Sequence, residues 1–264
     1  MKLKINGLSV NTFGNDKKQS VIFVHGFPYD HTMWLNQIGA LTENYFCVAY
    51  DVRGLGESYV GDGQYTMEAY VDDLFSVIDE LKLNKPILCG LSMGGYIALR
   101  AAAKRQEVFG GLILCDTRSD ADDNNGKLKR SANINQINKQ GLANFVEPFV
   151  TNCFSDEMAK ENPRLLSETI KLACKNDPLG VKGAVIAIMS RTDTTETLKD
   201  IKVPSMVLCG SFDKLTPPPV MRAMAEKIPN SEIAIIPHAG HMSPMENPSC
   251  VNDLILGFLK RNFS

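Results

Sequence analysis

The sequence predicts an α/β fold: a doubly wound, mostly parallel sheet of eight strands, with an inserted cap of helices. Three observations carry that reading. Six short, near-continuous apolar runs are bounded by turn residues, the pattern of strands covered on both faces. Helical patterns fill the intervals, and strand alternating with helix gives a parallel sheet with right-handed crossovers. The rhythm breaks once, between about 117 and 195, over an interval too long for a plain loop.

Taken in order, "KLKINGLSVNTFG" alternates and carries an Asn-Gly turn signal, so it reads as an antiparallel hairpin at the sheet edge. The apolar runs follow at 20–26, 45–51, 86–90, 110–116, 203–210 and 231–237, and the hairpin's two strands bring the total to eight. Helices are expected over roughly 31–42, 66–82, 94–105, 217–228 and 247–261. In the second of these, Thr66 caps a stripe of Tyr70, Val71, Leu74, Val77, Ile78 and Leu81 at i, i+3, i+4 spacing. Residues 117–195 hold no strand-like run, only the polar "RSDADDNNGKLKRS" and short amphipathic helices. They are expected to form a cap on a core made of residues 1–116 and 196–264.

Composition narrows the partners. A net charge of −2 gives no electrostatic reason for nucleic acid or an anionic membrane to bind. No apolar stretch approaches the roughly 20 residues of a spanning helix, and "MKLKINGLSVNTFG" lacks the apolar segment of a signal peptide. The seven cysteines are odd in number, scattered and never at C-x-x-C spacing. They point to a reducing compartment, the cytoplasm, with neither a disulfide frame nor a metal site. No cofactor is expected.

The chemistry is concentrated in "PILCGLSMGGYIALRAAAKR". Gly90-Leu91-Ser92-Met93-Gly94 is a G-x-S-x-G turn, where a serine at a sharp strand-to-helix junction needs glycines two positions either side to relieve crowding. The short pattern is weak evidence alone. Here it follows a buried strand, opens a helix and falls near the middle of the strand order, the context that makes it a nucleophile. A serine hydroxyl needs an adjacent base. Of the four histidines, His241 follows the last strand and lies at the carboxyl ends of the strands, where open α/β sheets place their sites. His238 is its rival. His25 beside Gly26 is expected to bond backbone, and His31 to be exposed at a helix start. The base needs an acid to orient it. Asp51 precedes Ser92, against the order Ser, acid, His, which leaves Asp213 as the preferred partner and Asp116 as the alternative. Two backbone donors must meet the developing oxyanion. The amide of Met93 is one and that of Phe27 the other, since Pro28 has no N–H and Gly26 permits close approach.

The pieces "HGFP", "DVRGLGES", "GLSMGG", "GSFDKLTPP" and "AGHMSPMENP" together resemble the α/β-hydrolase superfamily, in its order and along the whole chain. The resemblance implies Ser92 as nucleophile, Asp213 as acid, His241 as base, Phe27 and Met93 as oxyanion donors, and 117–195 as the cap. Within the superfamily the chain is similar to small carboxylesterases, 3-oxoadipate enol-lactonases and cofactor-free haloperoxidase-type esterases. Members with a nucleophilic Asp are excluded by Ser92, and Leu91 stands where ring-cleavage carbon–carbon hydrolases usually have Asn. The expected activity is hydrolysis of small carboxylic esters or lactones through an acyl-enzyme. The alternatives are an enol-lactonase or a perhydrolase of the haloperoxidase type, whose members share a proline at the position of Pro28; a non-catalytic binding protein on the same fold is a further reading. Arg118 and Arg191 are candidates for a substrate carboxylate. Tyr29, Trp34, Phe145, Phe149 and Met158, with Phe154 and Leu166, are candidates for the pocket wall.

Overall fold

A computed structural model, describing residues 1–263, opens on the hairpin that the first residues predict. β1 (Lys2–Ile5) and β2 (Leu8–Phe13) pair antiparallel across Asn6 and Gly7. Their φ angles of 48° and 84° are both positive, as a two-residue type I′ turn requires. The six apolar runs become β3 (Ser20–Val24), β4 (Phe46–Tyr50), β5 (Ile87–Leu91), β6 (Gly111–Cys115), β7 (Ser205–Gly210) and β8 (Ser231–Ile236). The eight strands lie in the order β1-β2-β4-β3-β5-β6-β7-β8. β2 runs antiparallel to β4, and every pairing from β4 to β8 is parallel.

The chain order reverses direction at β3, which has β4 on one side and β5 on the other. Strand connections leave in opposite directions there, so a crevice opens at the carboxyl ends of β3 and β5. That crevice receives Phe27 from one strand and Ser92 from the other.

α1 (Leu35–Leu41), α2 (Met67–Glu80) and α3 (Met93–Arg105) connect the early strands. After β6 the chain leaves the sheet for α4 (Asn124–Gln140), α5 (Leu142–Cys153), α6 (Asp156–Glu161), α7 (Pro163–Ala173) and α8 (Pro178–Met189). α9 (Pro218–Ala225) follows β7, and α10 (Ser243–Glu246) and α11 (Pro248–Phe263) follow β8. Local chemistry sets several starts: the Thr66 hydroxyl accepts from the Ala69 amide at 3.2 Å, and Asp123 accepts from Gly126 at 2.7 Å. α7 and α8 each begin on a proline whose missing N–H costs nothing at that position.

Every residue of β3, β4, β5, β6 and β7 is buried, so both sheet faces are covered. β8 departs from the pattern of a doubly covered strand: as the sheet's edge it is half-exposed along most of its length. One predicted helix is divided, and a short helix that the sequence reading did not expect precedes the last one. A 3-10 turn, His31–Trp34, capped by the Asp30 carboxylate, precedes α1, and the non-helical Asn247 separates the short α10 from α11. The accessible surface, 11163 Å², matches the roughly 11,400 Å² of a compact monomer of this size, so α4–α8 lie against the sheet and not apart from it. Among the described residues no helix is long and apolar enough to cross a membrane.

α3 is seated unusually close to the sheet. A Cβ at Gly94 would stand 2.2 Å from the Val24 carbonyl oxygen and 3.0 Å from that of His25, distances that only backbone movement relieves. Gly39 on α1 is the contrasting case, with nothing within 4 Å of an added Cβ. Gly94→Ala is therefore expected to destabilise the protein by about 3 kcal/mol through overpacking against rigid backbone. Gly39→Ala is expected to stabilise it by about 1 kcal/mol through helix propensity. Urea denaturation of the two variants checks both signs.

Candidate active site

Ser92 sits where β5 turns into α3, with φ 52° and ψ −111°. A non-glycine residue held at positive φ carries strain, and here the surroundings fix it. The Ser92 amide donates to the Cys115 carbonyl at 3.0 Å, and its carbonyl accepts from the Thr117 hydroxyl at 2.8 Å. A Cβ on Gly90 would lie 2.3 Å from the Gly94 carbonyl oxygen, and one on Gly95 would lie 2.3 Å from Thr117 Oγ1. The two motif glycines relieve the crowding that the sequence predicts, and Gly95 does the same toward β6.

The turn brings three predicted residues into one hydrogen-bonded chain. Ser92 Oγ is 2.9 Å from His241 Nε2, and His241 Nδ1 is 2.8 Å from Asp213 Oδ2. His241 and Asp213 are buried. Asp213 Oδ1 accepts from the Leu215 and Thr216 amides at 2.7 and 2.9 Å, and Oδ2 also accepts from the Thr216 hydroxyl at 2.7 Å. Burial pushes the Asp213 carboxyl up, but the charge and hydrogen bond of His241 and the Thr216 bonds outweigh it, holding the group down to about 2. An ionised carboxylate thus fixes Nδ1 as the protonated nitrogen and turns Nε2 toward the serine.

The rivals have other work. His238 is exposed and paired with Glu157 at 3.0 Å. His25 bonds backbone: Nδ1 lies 2.8 Å from the Gly26 carbonyl and Nε2 3.0 Å from the Val52 amide. With its charged form disfavoured by burial, this arrangement defines one neutral tautomer. His31, expected to be exposed, is half-buried instead, its Nδ1 2.6 Å from Asp51. Asp116 does not reach His241; it accepts from the Gly210 amide at 2.8 Å and the Ser243 hydroxyl at 2.5 Å.

Gly26 lets the β3 loop pass beside Ser92, since its added Cβ would stand 3.5 Å from Ser92 Cβ. The amides of Phe27 and Met93, which flank this contact in sequence, have no hydrogen-bond acceptor among the described residues. Two unengaged backbone donors therefore adjoin Ser92, one of them at the positive end of α3.

Ser92 and His241 open on a cavity of about 410 Å³. Phe27, Phe145 and Phe149 form an aromatic cluster in its wall, with Phe27 and Phe149 edge to face at 5.4 Å. Arg118 also lines it, tied to Asp120 at 2.7 Å. The other pocket candidates do not. Trp34, at the end of the 3-10 turn, is fully buried with its ring 5.2 Å from that of Phe23 on β3. Tyr29 lines a separate small cleft with Thr169 and Met245. Met158, Phe154 and Leu166 pack against the core. Arg191 is an internal strut: it pairs with Asp122 at 2.9 Å, donates to the Asp120 carbonyl at 2.8 Å, and lies over the Tyr96 ring at 4.4 Å.

Two groups bring three metal-binding side chains within 4.8 Å: Asp30, His31 and Asp51, and Asp116, Cys209 and Asp213. Their carboxylates already accept internal bonds, Asp51 from the His31 and Glu57 amides at 2.9 Å each. Neither donor set is left open for an ion.

The sequence reading missed two holding residues. Glu246 is buried and accepts from the Gly240 and Met242 amides, at 2.9 and 3.1 Å, on either side of His241; its other oxygen accepts from Ser155 at 2.9 Å. Asn176 donates to the Pro28 carbonyl at 2.9 Å and accepts from Gly56 at 2.8 Å. A carboxylate after the histidine loop reads as an ordinary helix-end residue, and nothing in an isolated asparagine signals a contact 148 positions away.

The family model described as the alpha/beta hydrolase fold matches residues 19–248. 3-Oxoadipate enol-lactonase 1 of Acinetobacter baylyi is 28% identical over 96% of this chain and 93% of its own. Among solved structures, a thermophilic esterase from Thermogutta terrifontis, solved with malate bound, superimposes with a TM-score of 0.95 at 34% identity and full coverage of both chains. The enol-lactonase of Burkholderia xenovorans LB400, 23% identical, shares the fold with a TM-score of 0.90 over 98% of this chain and 100% of that one.

The depressed Asp213 pKa has a stability consequence. A carboxyl held down to about 2 in the folded chain against an ordinary 3.8 stabilises the fold above pH 4, and that contribution disappears as pH falls through 2. It is worth about 2 kcal/mol, so the stability difference between wild type and Asp213→Asn is expected to shrink by that amount from pH 4 to pH 2 in urea melts. Glu246→Ala strands three buried amides and is expected to destabilise the protein by about 3 kcal/mol in the same measurement at neutral pH.

Proposed function

The chain belongs to the α/β-hydrolase fold family, and from that premise we propose that it is a serine hydrolase of small carboxylic esters or lactones. The observation that carries this reading is the Ser92–His241–Asp213 chain, at 2.9 and 2.8 Å, beside two unengaged backbone amides. Ser92 Oγ attacks the ester carbonyl while His241 Nε2 takes its proton. The oxyanion is received by the Phe27 and Met93 amides, and Asp213 stabilises the imidazolium. His241 then protonates the leaving alkoxide, an acyl-Ser92 remains, and a water activated by the same histidine releases the acid. General acid–base transfer contributes roughly 10²–10⁴-fold and each oxyanion donor about 2.7–4 kcal/mol.

Residues 117–195 serve as the cap. Their helices supply Phe145 and Phe149 to the wall of the cavity, and the aromatic cluster suits the hydrocarbon part of a substrate. A lactone fits the same chemistry, the leaving alkoxide remaining attached to the acyl group. The enol-lactonases among the relatives favour that second reading, and the cationic residue Arg118 in the cavity supports it. Perhydrolysis rests on Pro28 alone and is the weaker side activity. The scattered cysteines support a reducing, cytoplasmic setting.

Turnover of p-nitrophenyl acetate tests the proposal. Wild type is expected to release p-nitrophenol with kcat/KM at least about 10³-fold above Ser92→Ala. An inert wild type, or a Ser92→Ala variant of full activity, overturns it.

A further inference from the structure

A helix packed on a protein usually turns an apolar stripe inward; α4 has only a short one, Ile134 and Ile137, and turns polar residues toward the cavity. Its residues Lys129, Arg130, Asn133 and Gln136, at helical spacing, line the cavity, and of its whole length only Ile137 is buried. The cavity therefore has an aromatic side, from Phe27 and α5, and a cationic side, from α4 and Arg118.

The ion pairs on the cationic side do not balance. Asp122 is shared by Arg130 at 3.1 Å and Arg191 at 2.9 Å, and Asp120 is held by Arg118. Asp123 caps the start of α4. Lys129 has no carboxylate partner among the described residues. Three cations, Arg118, Lys129 and Arg130, thus line one concave surface; both arginines are held by aspartates, and the exposed Lys129 is the cation left to act on whatever enters. The arginines are held in place by their aspartates and contribute a fixed positive field, which a low-dielectric cavity concentrates.

Resting on the hydrolase reading of the same site, we propose that Lys129 sets specificity for esters or lactones that carry a carboxylate. The aromatic wall takes the hydrocarbon, and the Lys129 ammonium takes the anion, with Arg130 and Arg118 adding to the field. A single unpaired ammonium suits a singly charged carboxylate better than a phosphate dianion, which would call for a guanidinium fork.

The test compares kcat/KM for p-nitrophenyl heptanoate, the mono-p-nitrophenyl ester of pimelic acid, and 4-acetoxybenzoate. The second carries its carboxylate on the acyl side, the third on the leaving group. Lys129→Ala is expected to lower the anionic-to-neutral ratio about tenfold for at least one anionic ester, Lys129→Glu to lower it further, and Lys129→Arg to restore it. Lys127→Ala, exposed on the same helix and outside the cavity wall, is expected to leave the ratio unchanged. An unchanged ratio for both anionic esters in Lys129→Ala overturns the proposal. If wild type hydrolyses none of the three and is also inert toward p-nitrophenyl acetate, the hydrolase reading fails by itself. Calorimetric binding of pimelate to the Ser92→Ala protein then decides the anion site: affinity lost with Lys129→Ala upholds it, equal affinity overturns it.

Discussion

The site depends on how closely α3 approaches the sheet. Ser92 can stand at φ 52° only because the helix behind it begins against the backbone of β3, with Gly94 where any side chain would strike the Val24 carbonyl. The strain is local, of the order of 1–3 kcal/mol, and it is held by packing that spans three adjacent strands. Thr117, just past β6, bonds the Ser92 carbonyl, and Gly26, just past β3, passes beside its Cβ. The reversal of strand order at β3 puts both neighbours at the same ends of the strands. Topology thus supplies the crevice, and close packing aims the hydroxyl into it.

The inserted helices hold the site as well as covering it. His241 donates its amide to the Cys153 carbonyl at 2.8 Å, at the end of α5. Glu246 joins the amides around His241 to that of Ser155, two residues farther along. Asn176, between α7 and α8, fixes the Pro28 carbonyl next to the Phe27 amide. Both the His241 loop and the Phe27 loop are therefore tethered to α4–α8 through buried hydrogen bonds, whose loss leaves unsatisfied groups. Movement of the inserted helices and the precision of the site are mechanically linked.

What the sequence made legible follows from how local each signal is. The strands, the Asn-Gly hairpin and the Thr66-capped helix are written in neighbouring residues, and the elbow is written in five. Ser92, Asp213 and His241 were readable because each ends a strand or follows one in a fixed order. Trp34 and Met158 were misplaced because an aromatic or methionine at helical spacing faces a core or a cavity with equal ease. Only the 3-10 turn before α1, invisible in periodicity, decides the first. Glu246 and Asn176 act through backbone amides far away in the chain, and no spacing rule records such contacts.

The choice between Asp116 and Asp213 shows how environment divides two similar side chains. Both follow strands at the same carboxyl end of the sheet, and both are buried. Asp213 receives two amides, a hydroxyl and an imidazole nitrogen, so its charge is met. Asp116 receives one amide and one hydroxyl and no cation. Burial and the neighbouring Asp213 charge push its pKa well above the carboxylate range. Two ionised carboxylates at this spacing would repel each other in a medium that screens poorly. Charge is thus disfavoured on Asp116 and favoured on Asp213, which places one well-met carboxylate charge against His241 Nδ1, and that contact fixes the orientation of the imidazole.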